Sequence, residues 1–586
     1  MRVEGKLLPL PTQVVSPGIL ENAYRRELQS LTASDALVRL WAKDSSLWPA
    51  ERFRAESVKN NLRWLDLPEQ LGPLLAPVVA RAAQIEPAGF EDVVFVTMGD
   101  SNLAAESILG LPHAKLAKRF FLLNTIDPDS VRVFEDTLRL DKTLFVFANK
   151  SGTHIETHSL LLYFLERLRA RGIRSPARHF VTLTEENSYL GGLARAYEFL
   201  DSFFDPPGIH GRYSSLIHFN FFLAALCRMD PVELQERTKL MRDACGPAAP
   251  RESNPAVSPA AFLVAAEREG LNRLVFFSPD NLKPVSRRIG YLVGASTCKK
   301  GRGIIPIFGR SSCGIEMFQR GYAVVILKIA GEKNAELSKR HDAMRQAGVP
   351  LLSVELTGPE ELPVELFKWE IATALSSSLL DVDPFHDPDI REGRARTAQV
   401  LEETTFKRQS SPPTARVIEG GIELYAEGQT RQQISSLNMS EALRTFFGLR
   451  HKTGYIALLP FMSSDEPQRS IFRRIRERLE SAFALPVLIT PGPRYLHAIG
   501  QVYKGGPPKG LFLLLTAAPA NDLAIPGADY SFGELQLALA LGDFESLGRR
   551  RRPVIRLHLT RGAESGLTQF ESTLDNVLGK RRILTP

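Results

Sequence analysis

The run Asn149-Lys150-Ser151-Gly152-Thr153-His154 places a lysine, two hydroxyls and a glycine between an apolar stretch and a helix-like one. Backbone N–H groups at a helix N-terminus, joined by Ser and Thr hydroxyls and a Lys, make a cradle for an anion. The same residue types also suit an ordinary capped loop, since Ser and Thr are common N-caps. His154 and His158 lie four apart and could share a helix face, but no third metal ligand is in view. A second stretch, "LVGASTCKKGRGI" from Leu292 to Ile304, reads as the end of a strand or helix running into a polar, glycine-punctuated turn. That turn offers Ser296, Thr297, Cys298 and Lys299, with no carboxylate and no histidine. A third, "YLHAIGQVYKGGPPKG", holds His497, Gln501 and Lys504 close together in a loop followed by a strand.

These residues need elements that aim them. From residue 1 to about 90, Leu and Ala recur at helical spacing, as in "ENAYRRELQSLTASDALVRLWAKD", and a helical segment is expected. The texture then changes to short Val/Phe/Leu-rich runs alternating with helical stretches, beginning with "DVVFVTMGDSN" and "TLFVFANKSGTHIETHS". Polar loops fall at the C-terminal ends of these runs. That alternation predicts parallel, doubly wound α/β domains with ligands at those loops. Two proline-rich stretches, 246–259 and 402–416, read as linkers. They divide the chain into a helical segment 1–90, α/β domains at 91–245 and 260–402, and a C-terminal α/β domain at 417–586.

Composition narrows the partners. At 586 residues the chain has room for three or four domains of about 150 residues. The net charge of +7 is spread over 73 basic and 66 acidic residues. The densest basic run, Arg549–Arg552, runs straight into the apolar "PVIRLHL" and has no aromatic or base-reading companions, so no nucleic-acid partner is expected. A modest excess of cations suits an anionic small molecule. Cys227, Cys245, Cys298 and Cys313 are too scattered for a disulfide framework or a zinc site, and a reducing cytoplasm fits them best. The charged, proline-bearing N-terminus is unlike a signal peptide. No run approaches the ~18 apolar residues of a membrane span, so no membrane association is expected.

Several motifs together resemble the glucose-6-phosphate isomerase family, whose members are built on sugar isomerase (SIS) domains. The family's Ser-Lys-Ser-Gly-Thr-Thr-x-Glu-Thr loop stands here as "NKSGTHIET", and its Gly-Gly-Ser loop as "GDS", Gly99 to Ser101. Its Gly-Gly-Arg-Tyr-Ser motif stands as "HGRYS", His210 to Ser214, and its Phe-Asp-Gln signature as "PFHDPDIREGR", Pro384 to Arg394. More specifically, the chain resembles the isomerase half of bacterial bifunctional transaldolase/glucose-6-phosphate isomerase proteins, from about residue 36 to 560, including "FKWEIATA" and "PGPRYLHAIGQVYKGGPPKGLFLLLTA". The resemblance implies two flavodoxin-like, doubly wound SIS domains with the active site between them. It also implies a sugar phosphate as substrate, no metal or other cofactor, and a homodimer.

It further implies roles for residues. Aldose–ketose isomerisation needs a phosphate grip, an acid/base for ring opening and a carboxylate to shuttle the carbon-bound proton. By resemblance, Gly99, Ser101, Asn149, Lys150, Ser151, Thr153 and His154 form the phosphate region. Asn149 replaces the family's first Ser, and His154 replaces a Thr that contacts phosphate. Asp100 replaces a Gly, setting a negative charge there that Lys150 or a protonated His154 would have to offset. Arg212 is the family's enediolate-stabilising Arg. His497 matches the ring-opening position, with Gln501 and Lys504 as further substrate contacts. The family's base, the Glu of Glu-Ser-Thr-Gly-Lys, is Ala295 here. His386 and Asp387 stand for Asp-Gln, and Arg394 for a Lys, which keeps the charge but not the compact ammonium. The resemblance therefore implies a sugar-phosphate-binding relative with weak or absent isomerase activity. The alternatives are an active isomerase using Asp387, Glu316 or Asp100 as base, a non-catalytic sugar-phosphate sensor or subunit, and catalysis on another phosphosugar.

Overall fold

The computed structural model describes residues 10–49, 55–85, 88–110, 118–309, 318, 321–358, 361–406, 414–463 and 465–579. The first element among the described residues is strand β1, Thr12–Ser16, within the segment expected to be helical. The helices Glu21–Ala33, Ala36–Trp41, Ala55–Asn61 and Leu67–Ile85 follow. The first α/β sheet contains β2 (Asp92–Thr97), β3 (Arg119–Leu123), β4 (Thr143–Ala148), β5 (Phe180–Glu185) and β6 (Asp201–Asp205). All its pairings are parallel, in the order β3-β2-β4-β5-β6. β2 and β4 are buried along their whole length, which is why they read as unbroken apolar runs rather than alternating ones.

The second sheet contains β7 (Arg273–Phe277), β8 (Ile305–Phe308), β9 (Tyr322–Ile329) and β10 (Leu351–Leu356). Its order, β1-β10-β9-β7-β8, repeats the first sheet's winding, except that β1 fills the fifth place and lies antiparallel to β10. The third sheet joins β11 (Val417–Glu419), β12 (Ile422–Ala426), β13 (Tyr455–Phe461), β14 (Val487–Ile489), β15 (Gly510–Ala517) and β16 (Val554–Leu559) in the order β11-β12-β16-β15-β13-β14. Its four parallel strands wind in the same manner, and an antiparallel hairpin extends the edge. The chain is thus α/β, with flavodoxin-like parallel sheets, a largely helical N-terminal segment and a C-terminal α/β sheet. The reversal in strand order, between β2 and β4 in the first sheet, opens the crevice where such folds bind ligands.

Two compact units emerge. The first comprises Met1–Leu123, Arg139–Thr157 and Leu168–His386, and the second Asn124–Leu138, His158–Arg167 and Asp387–Pro586. Within the first, apolar residues of both sheets, Phe95 and Val146 with Leu274 and Val325, belong to one continuous core. Its most enclosed element is the helix Leu362–Leu379, buried from Leu362 through Ser377. Within the second unit, Glu135 of helix Pro128–Thr137 accepts from the Tyr163 hydroxyl at 2.6 Å and from Arg167. Tyr163 packs edge-on against Phe532 of helix Phe532–Arg549. The basic run at 549–552 also serves the second unit internally. Arg549 pairs with Glu545 and Arg550 with Glu392, while Arg552 donates to the carbonyls of Lys504 and Gly506.

Candidate functional site

The two loops at the first sheet's crevice carry the residues singled out as an anion grip. After β2 the chain turns through Gly99, whose φ of +69° strongly favours glycine, and enters helix Asp100–Leu109 with half-buried Ser101 in its first turn. After β4 it turns through Asn149–His154 into helix Ile155–Ala170. The turn is built by Asn149, whose Oδ1 accepts from the Gly152 N–H at 3.1 Å and from Ser151 Oγ at 3.3 Å. Gly152 has a φ of +62°, and a Cβ there would sit 2.4 Å from the Ser188 Cβ. The Ser151 and Thr153 hydroxyls lie 2.8 Å apart on the rim. The Asn149 side chain is 2 % exposed, and its Nδ2 has no hydrogen-bond partner, an arrangement that is costly without an acceptor. Lys150, in contrast, is engaged. Its ammonium pairs with Glu185 at the end of β5.

Arg212 lies in the short 3-10 turn Gly211–Tyr213, is 7 % exposed, and donates to the Pro384 carbonyl at 2.9 Å. What fixes this segment is a residue the sequence reading did not single out. Glu370, buried in helix Leu362–Leu379, accepts from the Ser215 N–H and the Ser215 hydroxyl, both at 2.8 Å. A carboxylate inside the apolar "LFKWEIATAL" was the available signal, because a buried charge demands donors. Tyr213 is fully buried, which pushes its hydroxyl well above the ordinary phenol range, so it remains a donor. It donates to Ser296 Oγ at 3.2 Å. The structure therefore brings the Arg212 segment against the residue beside Ala295.

The conformation around Ala295 corrects the sequence reading. The stretch from Leu292 is a helix end, but the turn begins later than expected: Gly294–Thr297 is still helical, because helix Lys283–Thr297 runs through Ala295, which is 1 % exposed. The loop begins only at Cys298. Lys299 folds back and donates to the carbonyls of Ala295 and Ser296 at 2.7 and 2.8 Å, satisfying acceptors that a helix C-terminus leaves open. Thr297 locks the exit by accepting from the Ile304 N–H at 3.1 Å. The local sequence lacks any proline that would stop the helix, and the buried Lys299 supplies the cap. A methyl group and a capping ammonium thus occupy the stretch, with no base.

The remaining candidates belong to the second unit. His497 ends the 3-10 turn Arg494–His497 and is half-buried. Gln501 and Lys504, expected in a loop, lie in the short helix Gly500–Gly505. Both are buried and engaged. Gln501 Nε2 donates to Asp389 Oδ2 at 2.5 Å, and Lys504 pairs with Asp543 at 2.5 Å. Asp543 also accepts from Tyr495, and Asp389 pairs with Arg550. Asp387 is half-buried just before helix Pro388–Phe406, which contains Arg394. Glu316 and Cys313 lie outside the described residues.

Several known proteins are similar to parts of the chain. No protein-family model matches the chain. A stretch of 134 residues is 36% identical to the glucose-6-phosphate isomerase of Treponema pallidum, spanning 22% of this chain and 24% of that protein. Another of 144 residues is 28% identical to the glucose-6-phosphate isomerase of Borreliella afzelii, spanning 24% and 27%. These matches cover about a quarter of the relatives' length. A longer one, 374 residues at 23% identity, spans 56% of this chain and 85% of a probable glucose-6-phosphate isomerase of Haloquadratum walsbyi. In fold, the chain is similar to a hypothetical protein of Thermus thermophilus, with a TM-score of 0.57 at 21% identity, over 67% of this chain and all of the other.

Proposed function

We propose, from the similarity to glucose-6-phosphate isomerases, that the chain binds a sugar phosphate while catalysing aldose–ketose isomerisation weakly or not at all. The observation that carries the binding half is the loop Asn149–Thr153: a buried amide without an acceptor, two adjacent hydroxyls and a helix N-terminus, all at the sheet's crevice. Ala295 supports the catalytic half, since a methyl group cannot shuttle a proton and Lys299 is spent on capping. Loss of a positioned base costs roughly 10²–10⁴ in rate. We further propose that the protein acts as a homodimer.

A coupled assay on fructose 6-phosphate, run beside a thermal-shift titration, tests both halves. Stabilisation without turnover is expected, with the shift reduced in Ser151→Ala/Thr153→Ala. Turnover at ordinary isomerase rates that is abolished by Asp387→Asn would select the active enzyme with Asp387 as base. An unchanged shift in the double variant would put the ligand elsewhere.

A further inference from the structure

The first unit carries a second cleft, of about 550 Å³, lined by Lys43, Glu56, Lys59, Asn60, Arg63 and Asp66. Its charges are not all matched internally. Lys43 and Asp66 pair with each other, whereas Lys59 and Arg63 have neither an ion-pair nor a hydrogen-bond partner among the described residues. These two cations are four apart across helix Ala55–Asn61 and the 3-10 turn Leu62–Asp66, a spacing that sets both on the same side. Arg offers a planar fork and Lys a point charge, the pair of donors suited to a phosphoryl group. The amide of Asn60 and the carboxylate of Glu56 supply partners for hydroxyls beside it. We infer that this cleft binds a small phosphorylated polyol or hydroxy acid, at a site separate from the Asn149–Thr153 loop.

The cleft is also wired to the Arg212 segment. Trp64, adjacent to Arg63, is fully buried and packs on Tyr213 with ring centroids 5.3 Å apart. Pro206 of the chain leading from β6 to Arg212 lines the cleft, and a Cβ on Gly208 would lie 3.4 Å from the Asn60 Cβ. A ligand that draws Lys59 and Arg63 together acts on the turn that holds Trp64, and through Tyr213 on Arg212. This coupling rests on the reading of Arg212 as a sugar-phosphate group; the existence of the site does not.

Calorimetric titration with glycerol 3-phosphate at low ionic strength is the test, on wild type, Lys59→Ala/Arg63→Ala and Ser151→Ala/Thr153→Ala. Both cations are exposed, so their removal leaves folding intact. The cleft variant is expected to lose a binding event by roughly 10- to 100-fold, the value of charge-assisted hydrogen bonds, while the loop variant keeps that event. Absence of that event in wild type, or its loss in the loop variant alone, overturns the site. For the coupling, saturating glycerol 3-phosphate should change the fructose 6-phosphate affinity several-fold in wild type and not in the cleft variant. A change that persists in the cleft variant is competition at the loop and overturns the coupling. Glycerol 3-phosphate binding that is lost only in the cleft variant, with no fructose 6-phosphate binding at all, would uphold the cleft and refute the proposed function.

Discussion

Ala295 is the residue on which the proposed loss of isomerisation turns. Around it, Ser296 accepts from the Tyr213 hydroxyl, Arg212 precedes Tyr213 in the chain, and Glu370 accepts from the Ser215 N–H and hydroxyl. Introducing Ala295→Glu adds a carboxylate to this setting, and fructose 6-phosphate isomerisation should rise, by up to ~10²–10⁴-fold if the group is well placed. A displacement of ~1 Å can forfeit about 100-fold of that gain. Because Ala295 is buried, the longer side chain must find room, and Ala295→Gln controls for size without providing a base. Steady-state rates of the two folded variants decide the matter. Equal rates would show that position 295 does not face reacting carbons.

Among the elements, the helices Gly500–Gly505 and Phe532–Arg549 are joined by charges that have left water altogether. Lys504 and Asp543 are 3% and 1% exposed at the side chain, and Tyr495 completes the cluster. Removing one member of such a pair strands the other. Lys504→Met should therefore cost about 3–5 kcal/mol in urea unfolding of the C-terminal region. Lys504→Met/Asp543→Asn, which removes the stranded charge but leaves an acceptor for Tyr495, should recover most of it. If the double variant is as unstable as the single one, Lys504 contributes packing rather than charge compensation. Should the double variant be stable yet lose sugar-phosphate binding, Lys504 belongs with the substrate contacts that the family resemblance implies.

For the molecule as a whole, acid should loosen the second unit. His558 on β16 accepts from or donates to Thr516 Oγ1 at 3.0 Å. Burial, and then the nearby Arg556, hold its imidazole below the ordinary value of 6.5, with Glu423 opposing. The unfolded chain thus takes up a proton more readily than the folded one. The stabilisation is complete above pH 6.5 and is lost as pH falls through the lower folded value. Denaturant melts of wild type should weaken between pH 7.5 and 5.5, and His558→Gln should flatten that slope. An identical slope in the variant would assign the acid sensitivity to other groups. No helix among the described residues is long and apolar enough to cross a membrane.

Much of the architecture was legible before any coordinates. Continuous apolar runs such as "DVVFVT" and "TLFVFA" are buried on both faces, so their strands and the loops behind them follow from local pattern alone. Motif order was equally readable, and it pointed to the resemblance to glucose-6-phosphate isomerases, which partial matches to those proteins accompany. Three features escaped, each because its cause is distant in sequence. β1 is a strand only because the exposed edge of β10 offers it hydrogen bonds, more than 330 positions away. Helix Lys283–Thr297 extends past the expected turn because Lys299 returns to cap it and Ser296 is held by Tyr213. Lys150, Gln501 and Lys504 read as free polar groups near a ligand, but partners at Glu185, Asp389 and Asp543 claim them. Residue type and spacing reveal which groups could do chemistry. Which of them stay available depends on burial, because a charge withdrawn from water takes the nearest opposite charge the fold supplies.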